Sequence, residues 1–274
     1  MKPISQTISI LLPTVYLLVI VMYGLLFFTK NKKLERVTPL LLFSLVVIHG
    51  LEIFTRGLAL HAIPLSSMFD ALSFLAFAIL IVYVLIELTV KNKATGFIVL
   101  LLPFALQMIS SILYEWDLHA NPLLSNPIFA VHASFTIIGY TGLSISALYA
   151  LMYIMLNHNI KKRRLGVIYE NLPPLDLLEK LSIRSVAIGI GALGTGLLLG
   201  HFRSSAVFGN FWLNDPKVIF NDIIWFGYFC GYILARLDKW RGRWMALLSM
   251  GGFVLLLIVN IVLIFIINSF HQFK

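Results

Sequence analysis

About eight stretches of roughly twenty mostly apolar residues run through this chain, separated by short charged connections, and that pattern fixes the solvent before it fixes the fold. In the first half they span about Ile8 to Phe28, Pro39 to Leu60, Ser67 to Val90 and Gly96 to Leu113. In the second half they span about Ile128 to Leu156, Ile183 to His201, Val218 to Leu237 and Trp244 to Asn268. The chain is 59% apolar and 12% charged, against about half and about a quarter in a soluble domain. A water-soluble fold would have to expose much of that surface, whereas a bilayer removes the difficulty. The first run is too long for the apolar core of a secretory signal, and no small-x-small cleavage site follows, so it reads as the first membrane helix. The expected fold class is an all-α polytopic membrane protein forming a single integral membrane domain over residues 1–274, with no repeat and no soluble domain.

The charges give the orientation. Lys30, Lys32, Lys33 and Arg36 fill the first connection, Lys91 and Lys93 the third, Lys161 to Arg164 the fifth, and Arg236, Lys239, Arg241 and Arg243 the seventh. The even connections carry little: His61 in the second, Glu115, Asp117 and His119 in the fourth, Arg203, Asp215 and Lys217 in the sixth. Odd connections are therefore cytoplasmic and both termini face outward. The net charge of +9 sits in these short runs and forms no basic domain, which excludes nucleic acid as a partner. The fifth connection holds Asn171-Leu172-Pro173-Pro174, which stops a helix, and Leu175 to Leu181 then leads into the sixth span. Gly189, Gly191, Gly194 and Gly196 crowd that span at a spacing that favours close helix packing.

A single cysteine, Cys230, excludes a disulfide framework, a cysteine zinc site and a CxxCH heme attachment site. The histidines sort unevenly. His61, His119, His132, His201 and His271 lie at the outer face in this topology, His49 lies near mid-membrane, and His158 is cytoplasmic. His49, Glu52 and Arg56 share one helical face; they read either as a polar track leading outward or as a Glu–Arg pair that holds the helix in the bundle. Tyr140, Thr141 and Ser144 are expected to satisfy one another. No HExxH and no close His–His spacing supports zinc. Two distant histidines at one face suit the axial positions of a heme, which also needs an aromatic bed.

The sixth connection supplies such aromatics: Val207-Phe208-Gly209-Asn210-Phe211-Trp212-Leu213-Asn214-Asp215-Pro216-Lys217. Residue types alone leave two readings, an apolar shelf or an interfacial aromatic belt. The segment resembles the tryptophan-rich WWD motif of the cytochrome c assembly family (CcsA, CcmC and HemX-like proteins), read here as an outer loop over about residues 202–217. Gly209, Phe211, Trp212, Asp215, Pro216 and Lys217 match the pattern, while Phe208 and Asn214 stand for tryptophans and Val218 for an acidic residue. Val131-His132-Ala133-Ser134 with Gly139-Tyr140 resembles the histidine upstream of the motif, and Asn260 with Ser269-Phe270-His271 the one downstream. Arg56 to Phe69, with Pro64-Leu65-Ser66, resembles the exit of the second helix.

The resemblance implies non-covalent heme b held by His132 and His271, with Phe208, Gly209, Phe211, Trp212 and Asp215 around the ring. His49, His201 and Arg203 are further candidates, Arg203 toward a propionate. It implies presentation of heme to apocytochrome c, beside another cytochrome c assembly membrane protein, in the cell's cytoplasmic membrane. Catalysis by this chain alone is not implied, because Ile233-Leu234-Ala235-Arg236 holds no histidine where fuller synthases of the family carry one. Two rival readings are a HemX-like regulator of heme biosynthesis and a non-heme transporter with a midplane site in broken helices. The orientation is open to direct test. In a Cys230→Ser background, a cysteine at Lys162 should react with an impermeant maleimide only after the membrane is breached, and one at Gly209 should react from outside in intact cells.

Overall fold

A computed structural model describes residues 2–60, 63–65, 67–90, 92–114, 127–209, 211, 215–237 and 239–266. Among these there is no strand. The helices are α1 (Lys2–Thr29), α2 (Lys32–Leu60), α3 (Met68–Val90), α4 (Gly96–Val99), α5 (Leu101–Ile112), α6 (Pro127–Lys161), α7 (Val167–Asn171), α8 (Leu175–Phe208), α9 (Pro216–Arg236) and α10 (Arg243–Ile266). Seven of them are long and apolar enough to cross a membrane, and the protein is an all-α polytopic membrane protein. The fourth apolar stretch is the shorter pair α4–α5, spanning Gly96–Ile112, near the lower limit of about 17 residues for a span. Pro103 explains the interruption, since it has no N–H to offer the carbonyl of Val99.

The chain divides into two compact units. One comprises Met1–Ser125 with Arg163–Pro173, the other Asn126–Lys162 with Pro174–Lys274. The first is turned inside out relative to a soluble bundle. On α1 the buried face is Ser5, Ser9, Leu12, Tyr16, Val19 and Tyr23, while Ile10, Leu11, Leu17, Leu18, Val21 and Leu25 are exposed. On α2, His49, Glu52 and Arg56 are buried and Leu40, Phe43, Leu51 and Phe54 are exposed. Polar groups inside and large apolar ones outside are what a hydrocarbon solvent selects.

The polar groups of that face connect differently from the Glu52–Arg56 pair considered from spacing. Glu52 accepts hydrogen bonds from Ser9 at 2.8 Å and Ser73 at 3.2 Å. His49 is engaged at both ring nitrogens, by Tyr16 Oη at 2.9 Å and Ser73 Oγ at 3.0 Å. Arg56 turns to α3, where its Nε donates to Asp70 Oδ1 at 2.9 Å. Ser67 Oγ donates to the other carboxylate oxygen at 2.8 Å, and the guanidinium lies 4.8 Å from the Phe69 ring centroid and 5.1 Å from that of Tyr114. A carboxylate from another helix thus takes the guanidinium, while each Glu52 oxygen accepts from a serine. Glu87 closes a second node, accepting from Tyr83 at 2.6 Å and Tyr23 at 2.8 Å.

The second unit rests on α6 against α8. A Cβ on Gly142 would come within 2.7 Å of the Gly189 backbone, and one on Gly139 within 2.7 Å of the Leu193 backbone. Bare backbones meeting in this way give van der Waals contact without side-chain entropy loss. Of the four glycines expected to pack, Gly189 and Gly196 face α6, Gly194 lies under Trp225, and Gly191 has nothing within 4 Å. Of the mutual contacts expected among Tyr140, Thr141 and Ser144, the Ser144 hydroxyl donates to the Tyr140 backbone carbonyl at 2.7 Å, while the Tyr140 side chain looks elsewhere. Its hydroxyl donates to Asn221 on α9 at 3.0 Å and Asn260 on α10 at 3.4 Å, while Ser144 and Thr141 donate to backbone carbonyls within α6. Ser146, Ser182 and Ser249 join α6, α8 and α10 through hydroxyl contacts of 3.0 and 3.1 Å.

The Arg56–Asp70 pair, with side chains 3% and 0% exposed, yields a stability prediction. Asp70→Leu leaves a buried unpaired cation and should cost about 3–5 kcal/mol. Adding Arg56→Met should recover most of the loss, read as the melting temperature of the purified protein in detergent.

Candidate functional site

The second unit collects the residues singled out from sequence, and the geometry starts with how α8 ends. No breaker intervenes before Gly209, so α8 continues through Phe208, and residues 202–208 of the expected loop are helical. Gly209 takes φ +73°, a left-handed value that favours glycine, and its N–H closes on the Ser205 carbonyl at 3.0 Å. The return is equally local. The Asp215 carbonyl accepts the Ile219 N–H at 3.1 Å, and Pro216 is the first residue of α9. Asp-Pro is thus a helix start, with Pro where its missing N–H is no loss. Asp215 is 2% exposed. Phe211 is half-buried, and Trp212, Asn214 and the side chain of Phe208 lie outside the described residues.

His132 stands in the second turn of α6, half-buried against α8. Its Nδ1 lies 2.7 Å from the carbonyl oxygen of Gly196. A carbonyl only accepts, so Nδ1 carries the hydrogen, and in the neutral ring the lone pair is on Nε2. That is the form an imidazole needs to bind a metal, with the second nitrogen fixing its orientation. Gly200 makes the placement possible, because a Cβ there would sit 2.9 Å from His132 Cε1. The rings of Phe129 and His132 lie 6.2 Å apart.

His201 lies two turns before the end of α8, not at its tip as expected, and is 5% exposed. Its Nδ1 faces the Phe211 carbonyl oxygen at 3.2 Å and its Nε2 faces Asp222 on α9 at 3.1 Å. Arg203, two residues further along α8, is half-buried. His271, like His61 and His119, lies outside the described residues. His49 belongs to the other unit, in the network above. Sequence reasoning missed Gly200 and Asp222. Asp222 could have been found, since an acidic residue within a membrane span demands a partner.

Set against known proteins, residues 65–271 match the family described as cytochrome C assembly protein. The chain belongs to the cytochrome c assembly protein family. Its relatives include the cytochrome c biogenesis protein CcsA of Mesostigma viride, 26% identical over 266 residues, with 87% of each chain covered. The protein of the same name from Prochlorococcus marinus subsp. pastoris is 25% identical over 270 residues, covering 89% of this chain and 85% of that one. Among solved structures, a chain titled cytochrome c heme lyase CcmF shares the fold with a TM-score of 0.68 at 16% identity. The match covers 93% of this chain and 46% of that one. The family match includes both His132 and the Gly209–Pro216 segment.

Proposed function

We propose that this protein binds heme b non-covalently at the outer face of the cytoplasmic membrane and presents it to apocytochrome c. The observation that carries the reading is the orientation of His132: its Nδ1 is held by the Gly196 carbonyl of α8, the helix that leads into the segment resembling the family's heme-holding motif. His132 and His271 would hold the heme iron. Phe208, Phe211 and Trp212 supply the flat bed, Gly209 turns the chain toward it, and Asp215 fixes the base of the loop. Arg203 suits a propionate, because a guanidinium fork matches a carboxylate. Bound heme supplies the vinyl groups to which the thiols of a CxxCH segment add. This chain's own part is to hold, orient and shelter it, with another membrane protein of cytochrome c assembly completing the machinery.

The rivals make distinguishable demands. A regulator of heme biosynthesis is favoured by the absence of a histidine in Ile233–Arg236. A transporter needs a broken helix at its midplane site, yet α2 runs unbroken from Lys32 to Leu60 through His49, Glu52 and Arg56.

Purified in mild detergent and supplied with hemin, the parent protein should show the sharp reduced α band of bis-histidine heme. His132→Ala and His271→Ala should each abolish that band. Gly200→Ala should weaken hemin binding about tenfold, as is usual when the group orienting a ligand is disturbed, with helix content unchanged. A parent protein that takes up no hemin sinks the reading. A double His132→Ala, His271→Ala variant that keeps the bis-histidine band sinks the ligand assignment instead. In cells, deletion should deplete c-type cytochromes; a change confined to early heme precursors would select the regulatory reading.

A further inference from the structure

Phe211 and Asp222 both meet His201, and three contacts fall on that one imidazole. Nδ1 lies 3.2 Å from the Phe211 carbonyl oxygen. Nε2 lies 3.1 and 3.4 Å from the two carboxylate oxygens of Asp222. The ring is stacked on that of Phe211, with centroids 5.2 Å apart and planes at 25°. Phe202, the next residue along α8, meets Phe211 edge-on at 5.4 Å and 78°. Phe211 is therefore held through its backbone, its ring face and its ring edge.

The geometry assigns His201, braced by Asp222, as the positioning residue of the aromatic loop, acting on Phe211 and not on the heme iron. This rests on the proposal that the loop covers heme. The assignment follows from which nitrogens are engaged. The carbonyl of Phe211 can only accept, so Nδ1 donates. At the other nitrogen, either Nε2–H donates to the carboxylate or a protonated Asp222 donates to Nε2. In both cases no lone pair remains for a metal while these contacts hold. His132 has its Nδ1 on the Gly196 carbonyl, so in the neutral ring the lone pair is on Nε2. Two histidines in neighbouring helices thus receive different tasks from their partners.

A loop is the right object for such a fastening. Every residue it orders on binding costs conformational entropy, so a loop already held in place binds a flat ligand more tightly. Local turn and helix-start signals mark its two ends, Gly209 and Asp215-Pro216. The middle needs a tertiary anchor, and α8 and α9, the helices that deliver and receive the loop, each supply one half of it.

The rival explanation is a plain staple of α8 to α9 through Asp222, with the Phe211 contact incidental. Two amide replacements separate them. The nitrogen of an asparagine occupies the place of Nδ1, and that of a glutamine the place of Nε2. Hydrogen exchange of the 207–217 segment, measured on the full-length protein in detergent without heme, should be about tenfold faster in His201→Gln and His201→Phe. In His201→Asn it should stay near that of the parent. Asp222→Leu, which removes the brace and leaves the loop's own residues intact, should speed the same segment. Hemin affinity should fall in parallel, while the reduced α band at saturation keeps the position and shape of the parent's.

Equal exchange in all variants overturns the proposal, and so does protection retained by His201→Gln but lost by His201→Asn. A saturated spectrum in His201→Phe that turns five-coordinate and high-spin makes His201 a ligand and also overturns it. If the exchange pattern holds but the parent binds no hemin, the heme reading fails while the positioning role stands.

Discussion

Inside a bilayer a polar side chain has no water to return to, so it must find a partner within the protein or not be there. The first unit depends on that constraint. Tyr16, His49, Ser73, Glu52 and Ser9 form one continuous run of hydrogen bonds, and Arg56 reaches Asp70 from the next turn of α2. These bonds say which helix faces are inward, because the alternative would put a carboxylate or guanidinium into lipid. Leucine cannot make that choice, since it is equally content against lipid or against another helix. The second unit meets the same solvent with another device. Its glycines bring backbones together at Gly142 and Gly189, and its few polar groups, Tyr140, Asn221 and Asn260, satisfy one another at the contact of α6, α9 and α10.

What the sequence made legible follows from this division. Apolar length and charge runs are local properties, and they placed every span, including the short fourth one that Pro103 divides. Helix ends were legible only where a breaker was present, as at Pro173-Pro174. Between His201 and Gly209 no residue opposes a helix, so α8 runs on and carries the first part of the motif with it. Pairings were least legible. Glu52 and Arg56 are neighbours on one helix, yet α3 offers Arg56 a better partner in Asp70, and only the packing of two helices decides that. The partner of His201 was hidden for the same reason. His132 was legible through its resemblance to a family motif, but Gly200 and the Gly196 carbonyl, which set its orientation, look like ordinary packing glycines.

Those glycines join the fold to the site. Removing side chains from one face of α8 lets α6 approach closely, and the same absence at Gly200 opens the space that the His132 ring occupies. The Gly196 carbonyl can then reach Nδ1. A larger residue at either place would still permit a membrane helix, and the composition would hardly change, but the imidazole would lose its fixed direction. Close packing and ligand orientation are therefore one property of the α6–α8 contact, and a substitution there disturbs both.

The contrast between His132 and His201 shows why position alone does not make a ligand. Both stand in long helices of the same unit, and each has Nδ1 on a carbonyl. The difference is the carboxylate. Asp222 engages the second nitrogen of His201, turning that residue into a brace between chain segments. A carboxylate at the same distance from the Nε2 of His132 would do the same and consume the lone pair that a metal requires. Pairing His132 through Nδ1 with a backbone carbonyl orients the ring without drawing on Nε2.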